Sequence, residues 1–109
     1  MKTHQDIDRR SLALARRLVS IIEAQADQEG LQKVRQVCAR WLREQDTGPV
    51  REWHHLLQQP WPVIRARYTD PGEDGCRLRQ NSPFCGLLTP RERWAFFRNW
   101  KPDREQNPV

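Results

Sequence analysis

Apolar residues recur along this chain at intervals of three and four, and the alternation that marks a strand is nearly absent. Leu14, Leu18, Ile21 and Ile22 stand at i, i+4, i+7 and i+8, with Arg9, Arg10, Arg16, Arg17 and Glu23 elsewhere, which is the buried stripe of an amphipathic helix. Thr3 with Asp6 offers an early cap and Asp8 a late one, so the helix starts between residues 4 and 11. Leu31, Val34, Cys38, Trp41 and Leu42 draw a second stripe after Asp27-Gln28-Glu29-Gly30. The short link predicts that these two helices are antiparallel neighbours.

Asp46-Thr47-Gly48-Pro49 closes the second helix and opens a third, whose inward face is Val50, Trp53, Leu56 and Leu57. Pro60 and Pro62 bracket Trp61 and force a corner before a short segment carrying Val63, Ile64 and Tyr68. Two similar starts follow, Asp70-Pro71-Gly72-Glu73 and Thr89-Pro90-Arg91-Glu92. Each has an N-cap oxygen, a Pro at the first helical position and a Glu placed to reach back to the cap. The second is better supported, because Trp94, Phe97 and Trp100 follow at helical spacing with Ala95 and Phe96 beside them. The fold expected is all-α: five or six short helices in one domain over residues 1–102, two antiparallel helices leading a smaller C-terminal helical half, with a frayed tail at 103–109.

Composition agrees with a small core held by aromatics. Hydrophobic content is 37% and mean hydropathy −0.94, both low, but five Trp and three Phe restore apolar volume. No apolar run approaches the ~18 residues a membrane span needs, and the opening Met1-Lys2-Thr3-His4-Gln5-Asp6 has no signal-peptide core. Cys38, Cys76 and Cys85 form neither a CxxC pair nor an even framework, so free thiols in the cytoplasm are expected.

Catalytic patterns are thin. His54 and His55 are adjacent, which points them about 100° apart on a helix and away from a shared metal. A mixed site with Cys76 or Cys85 is the weak alternative. Cys85, between Phe84 and Gly86, reads as a packed small side chain rather than a nucleophile. No phosphate-binding loop, dinucleotide fingerprint, zinc-protease or nucleophile-elbow motif occurs. The expectation is a non-enzyme with no cofactor and no metal.

Charge changes the picture more. Residues 77–101 hold six basic residues and one acid, and the rest of the chain is balanced, so the net charge of +5 maps there. Sixteen of the nineteen cations are Arg, which suits carboxylate, phosphate and aromatic partners. Arg77 and Arg79 end one helix, and Arg91 and Arg93 open the next against its dipole. Two such ends could straddle phosphates, although the link from Gln80 to Thr89 exceeds a usual helix-turn-helix turn. Otherwise they pair with Glu73, Asp74 and Glu92 and cover Trp faces. Between them, residues 82–88 are unusually apolar. Phe84, Leu87 and Leu88 form either a plug under the aromatic helix, with Gly86 permitting positive φ, or an exposed anchor rimmed by arginines.

The string RLRQNSPFCGLLTPRERW, residues 77–94, resembles a signature of a family of small uncharacterised bacterial proteins, RLRQ-x-SPF-x-G-x-LTP-x-ER. The acidic start and Ser-Leu-Ala helix in IDRRSLALARRLVSII are also similar, and the likeness covers about residues 6–30 and 77–94, with Trp53 between. Cys85 stands where the family usually has a small residue. The resemblance implies a cytosolic operon partner, including antitoxin-like neutralisers beside a toxin or nucleotidyltransferase, and it brings no catalytic role.

The reading is a regulatory protein that docks a partner protein through Arg77, Arg79, Gln80, Phe84, Arg91 and Arg93. On this reading Phe84→Ala or Trp94→Ala abolishes binding or folding, and Arg79→Glu weakens docking but spares folding. The alternative is a DNA- or RNA-binding regulator using Arg77, Arg79, Arg91, Arg93, Arg98 and Lys101. Trp61 and Trp100 are the tryptophans to look for at a partner or homo-oligomer interface.

Overall fold

The first apolar stripe forms a helix longer than its core contacts require. In the computed structural model, which describes residues 4–100, α1 spans His4–Ala24. The late start is therefore excluded, and Asp8 lies inside the helix, where its carboxylate accepts from the Cys76 thiol at 3.0 Å. Thr3, the early cap, lies outside the described residues, as does the tail expected at 103–109. Leu18 and Ile22 are fully buried, with Leu14 and Ile21 packed at the margin.

A short turn over residues 25–28 leads into α2, Glu29–Glu44. Asp27 and Gln28 both take left-handed conformations, φ 56° and 51°, which disfavours side chains with a Cβ. Gln28 gives no side-chain cap; Gln25 supplies one from further back, its Oε1 accepting from Gly30 N at 2.7 Å. Leu31, Val34 and Cys38 are buried as the periodicity predicts, and Trp41 and Leu42 lie half-buried.

α3 is Gly48–Leu56, with Thr47 as N-cap accepting from Val50 N, and it packs closely on α2. α4 is Trp61–Tyr68 and already includes Trp61 and Pro62. Ile64 and Tyr68 are buried there, but Val63 points outward at 40% exposure. α5, Glu73–Arg79, starts later than its sequence signal, because Asp70 accepts from Gly72 N in a local turn and does not cap the helix. α6, Pro90–Asn99, carries the full reciprocal cap between Thr89 and Glu92. Among the described residues the architecture is thus six α-helices and no strand.

The core centres on three aromatic rings. Trp53 meets Tyr68 and Phe84 edge-on, with centroids at 5.4 and 5.6 Å, and Tyr68 stacks on Phe84 at 4.4 Å. Their polar atoms are satisfied: Trp53 Nε1 donates to Leu78 O at 2.9 Å, and the Tyr68 hydroxyl pairs with Ser82 Oγ at 2.7 Å. Burial pushes the Tyr68 phenol well above its ordinary value.

The 82–88 loop is therefore a plug rather than an exposed anchor. Phe84 and Leu88 are buried, at 0% and 7% exposure, with the Phe84 ring against Trp53 of α3 and Tyr68 of α4. Gly86 does not use positive φ, and a Cβ there would meet nothing within 4 Å.

Candidate functional site

The expected docking residues separate into interior, paired and exposed groups. Phe84 is wholly buried. Arg79 is 7% exposed, and its Nη1 donates to Tyr68 O at 3.0 Å and Asp70 O at 2.7 Å. Tyr68 ends α4, so this guanidinium binds carbonyls that the helix terminus leaves open. Burial lowers the Arg79 guanidinium from its ordinary value. Neither residue presents a surface to a partner, which corrects their assignment to the contact face.

Arg77 is exposed but occupied. It donates to both oxygens of Glu52 and to Asp74, while Arg67 Nη2 reaches Asp74 at 2.9 Å and Glu52 at 3.6 Å. The four side chains tie α3, α4 and α5 together. Hydrogen bonds from Arg77 hold both carboxyl groups below their ordinary values.

Gln80 is exposed at the C-cap of α5. Arg93 is half-buried and its Nη2 donates to Cys85 O at 3.3 Å, pinning α6 to the plug. Arg91 and Arg98 remain exposed, and Lys101 lies outside the described residues.

No residue of α6 is fully buried; Arg93, Ala95, Phe96 and Phe97 are half-buried. Arg10 of α1 lies 4.6 Å over the Phe97 ring, and Arg17 is near enough to Glu92 to add its field to the Thr89 hydrogen bonds that lower that carboxyl group. The Arg10 contact sets the end of α6 against the first half of α1. Trp94 is left 62% exposed, with the Arg98 guanidinium 4.9 Å over its ring. Ile7, one turn before Arg10, is 44% exposed. An exposed tryptophan with an arginine over its ring has the composition of a protein-binding hot spot.

Trp61, one of the two tryptophans picked out for an interface, donates Nε1 to Glu23 at 3.0 Å, and Arg65 shares that carboxylate at 2.9 Å. Trp100 is half-buried at the end of α6.

Of the histidines and cysteines, His54 and Cys38 line one pocket. His54 meets Gln58 at 3.1 Å, Cys38 is buried, and all three thiols are free. Among the described residues no group of three His, Cys, Asp or Glu is placed to hold a metal, and no helix is long and apolar enough to cross a membrane.

A second cationic surface was missed in the sequence. Lys33, Arg40 and Arg43 of α2 face a groove of ≈ 470 Å³ whose opposite wall is Pro83, Gly86 and Leu87. Their i, i+7, i+10 spacing was a readable signal, since α2 holds four cations, Lys33, Arg35, Arg40 and Arg43, against the two acids Glu29 and Glu44. No family model, curated protein or solved structure matches the chain.

Proposed function

We propose that this chain is a non-enzymatic regulatory protein that docks a partner protein through the outer face of α6, with Trp94 as the anchor. The observation that carries the reading is the exposure of Trp94 on a helix with no fully buried residue. Covering roughly 150 Å² of indole at ~25 cal/mol per Å² is worth about 4 kcal/mol, the scale of a binding hot spot. Arg91 and Arg98, exposed on the same helix, set the rim, so the partner surface is acidic or aromatic-lined. The resemblance of residues 77–94 to small bacterial operon partners points the same way, toward an antitoxin-like neutraliser whose target is encoded nearby.

A nucleic-acid role for the 77–101 cluster is weaker. Arg77 and Arg79 are engaged within the fold, which leaves two exposed arginines at 91 and 98 and the half-buried Arg93.

The test is purification of the tagged chain from its host at moderate salt, beside Trp94→Ala and Arg98→Glu variants. A stoichiometric protein that is lost with Trp94→Ala, while helical circular dichroism stays unchanged, supports the reading. A partner retained by both variants places docking elsewhere. Absence of any partner removes the neutraliser role.

A further inference from the structure

We propose that the groove between α2 and the 83–87 turn binds an acidic segment of a polypeptide that also carries aliphatic side chains. Lys33, Arg40 and Arg43 line it with Val37, Pro83 and Leu87, and no acid lies in its wall. The nearest counter-charge is Glu44, which meets Arg40 at only 3.9 Å in an exposed pair that contributes little. Lys33 and Arg43 have no acidic partner among the described residues.

Spacing selects the occupant. Ten residues of helix separate Lys33 from Arg43, about 15 Å of axis, too far for one carboxylate or phosphate to meet both. A ligand with negative charges repeated along its length fits. Two polyanions meet that description, and the floor distinguishes them. Val37, Pro83 and Leu87 give aliphatic contacts, whereas bases on a single strand need aromatic platforms, and none lines this groove. The groove shares no residue with the Trp94 surface, so its occupancy stands or falls independently of docking through α6.

The test is fluorescence anisotropy on the full chain with three probes. One is a fluorescein-labelled peptide repeating Asp-Leu-Glu-Ser, the second the same peptide with Asn and Gln for its acids, and the third a labelled single strand of deoxythymidine of similar length. The acidic peptide is expected to bind, and its neutral counterpart to bind at least about tenfold more weakly. Lys33→Glu and Arg43→Glu, each at an exposed position, should weaken the acidic peptide by about tenfold with helical circular dichroism unchanged. Arg91→Glu makes the same charge change outside the groove and should leave affinity within about twofold. Equal binding of both peptides, tighter binding of deoxythymidine, or an equal loss from Arg91→Glu and Arg43→Glu would each overturn the proposal, as would no binding at all.

Discussion

A Cβ on Gly75 would lie 2.0 Å from the carbonyl oxygen of Asp70. That oxygen cannot easily retreat, because it also accepts the 2.7 Å hydrogen bond from Arg79. Gly75 therefore lets the first turn of α5 press against the connection from α4. Gly75→Ala should lose about 3 kcal/mol or more through forced overpacking. Gly86→Ala, with open space around its Cβ, should stay within about 0.5 kcal/mol of the parent. Urea unfolding of the two variants beside the parent measures the contrast.

Arg79→Glu replaces a donor with an acceptor against two carbonyl oxygens in a buried site. The expected result is loss of the folded state, at a cost of about 3 kcal/mol or more. This is the reverse of the outcome expected for a surface arginine. A variant with native helical circular dichroism and an unchanged urea midpoint would show that the guanidinium does not hold the end of α4.

The network of Glu52, Asp74, Arg67 and Arg77 predicts an acid-sensitive contribution to stability. Both carboxyl groups are held below their ordinary values of 4.5 and 3.8, first by hydrogen bonds from Arg77. Carboxyl groups depressed in the folded state bind protons more readily when unfolded. Their contribution is therefore fully present above the ordinary values and is lost as pH falls through the lower folded ones. Urea unfolding free energy should decline below about pH 4, and a Glu52→Gln, Asp74→Asn variant should show a shallower decline. High salt should reduce the difference, because the network is solvent-exposed.

Gln28 holds φ 51° immediately before α2 and makes no side-chain cap. Glycine accepts that conformation without the Cβ contact. Gln28→Gly should raise stability by about 1 kcal/mol, seen as a higher thermal midpoint. The turn itself is retained by Gln25, whose side chain caps Gly30. A lower midpoint would mean that Gln28 contributes more through its side chain than its backbone loses.

Helices and their local ends were legible wherever the deciding contacts lie within a turn or two. The stripe of Leu18 and Ile22 and the reciprocal cap of Thr89 and Glu92 are of this kind. Positions decided by distant backbone were not. Arg79 is interior because α4 ends beside it, and Gly75 is required because Asp70 lies against it; neither fact leaves a mark in local periodicity. Counting charge by segment also misled, since Arg77 pairs with Glu52 25 residues away, while α2, with four cations to two acids, turns a basic face to the groove. The α6 aromatics have helical spacing, but spacing alone does not tell a core face from one left open.

Phe84 and Trp94, alike as large aromatics in the signature region, should respond oppositely to truncation. Phe84 has no exposed surface and touches both other rings of the core, so Phe84→Ala leaves a cavity among Trp53 and Tyr68. Its expected cost is about 4 kcal/mol. Trp94 is 62% exposed, and its ring contact is with the exposed side chain of Arg98. Removing it gives up about 1 kcal/mol of cation–π and partial burial. Paired urea titrations should therefore show a large fall in midpoint for Phe84→Ala and a small one for Trp94→Ala. Comparable losses would mean that α6 is integral to the core, and binding defects of Trp94 variants would then report unfolding. With the predicted separation, Trp94→Ala becomes a folded protein lacking only its anchor, and loss of a partner can be assigned to the surface of α6.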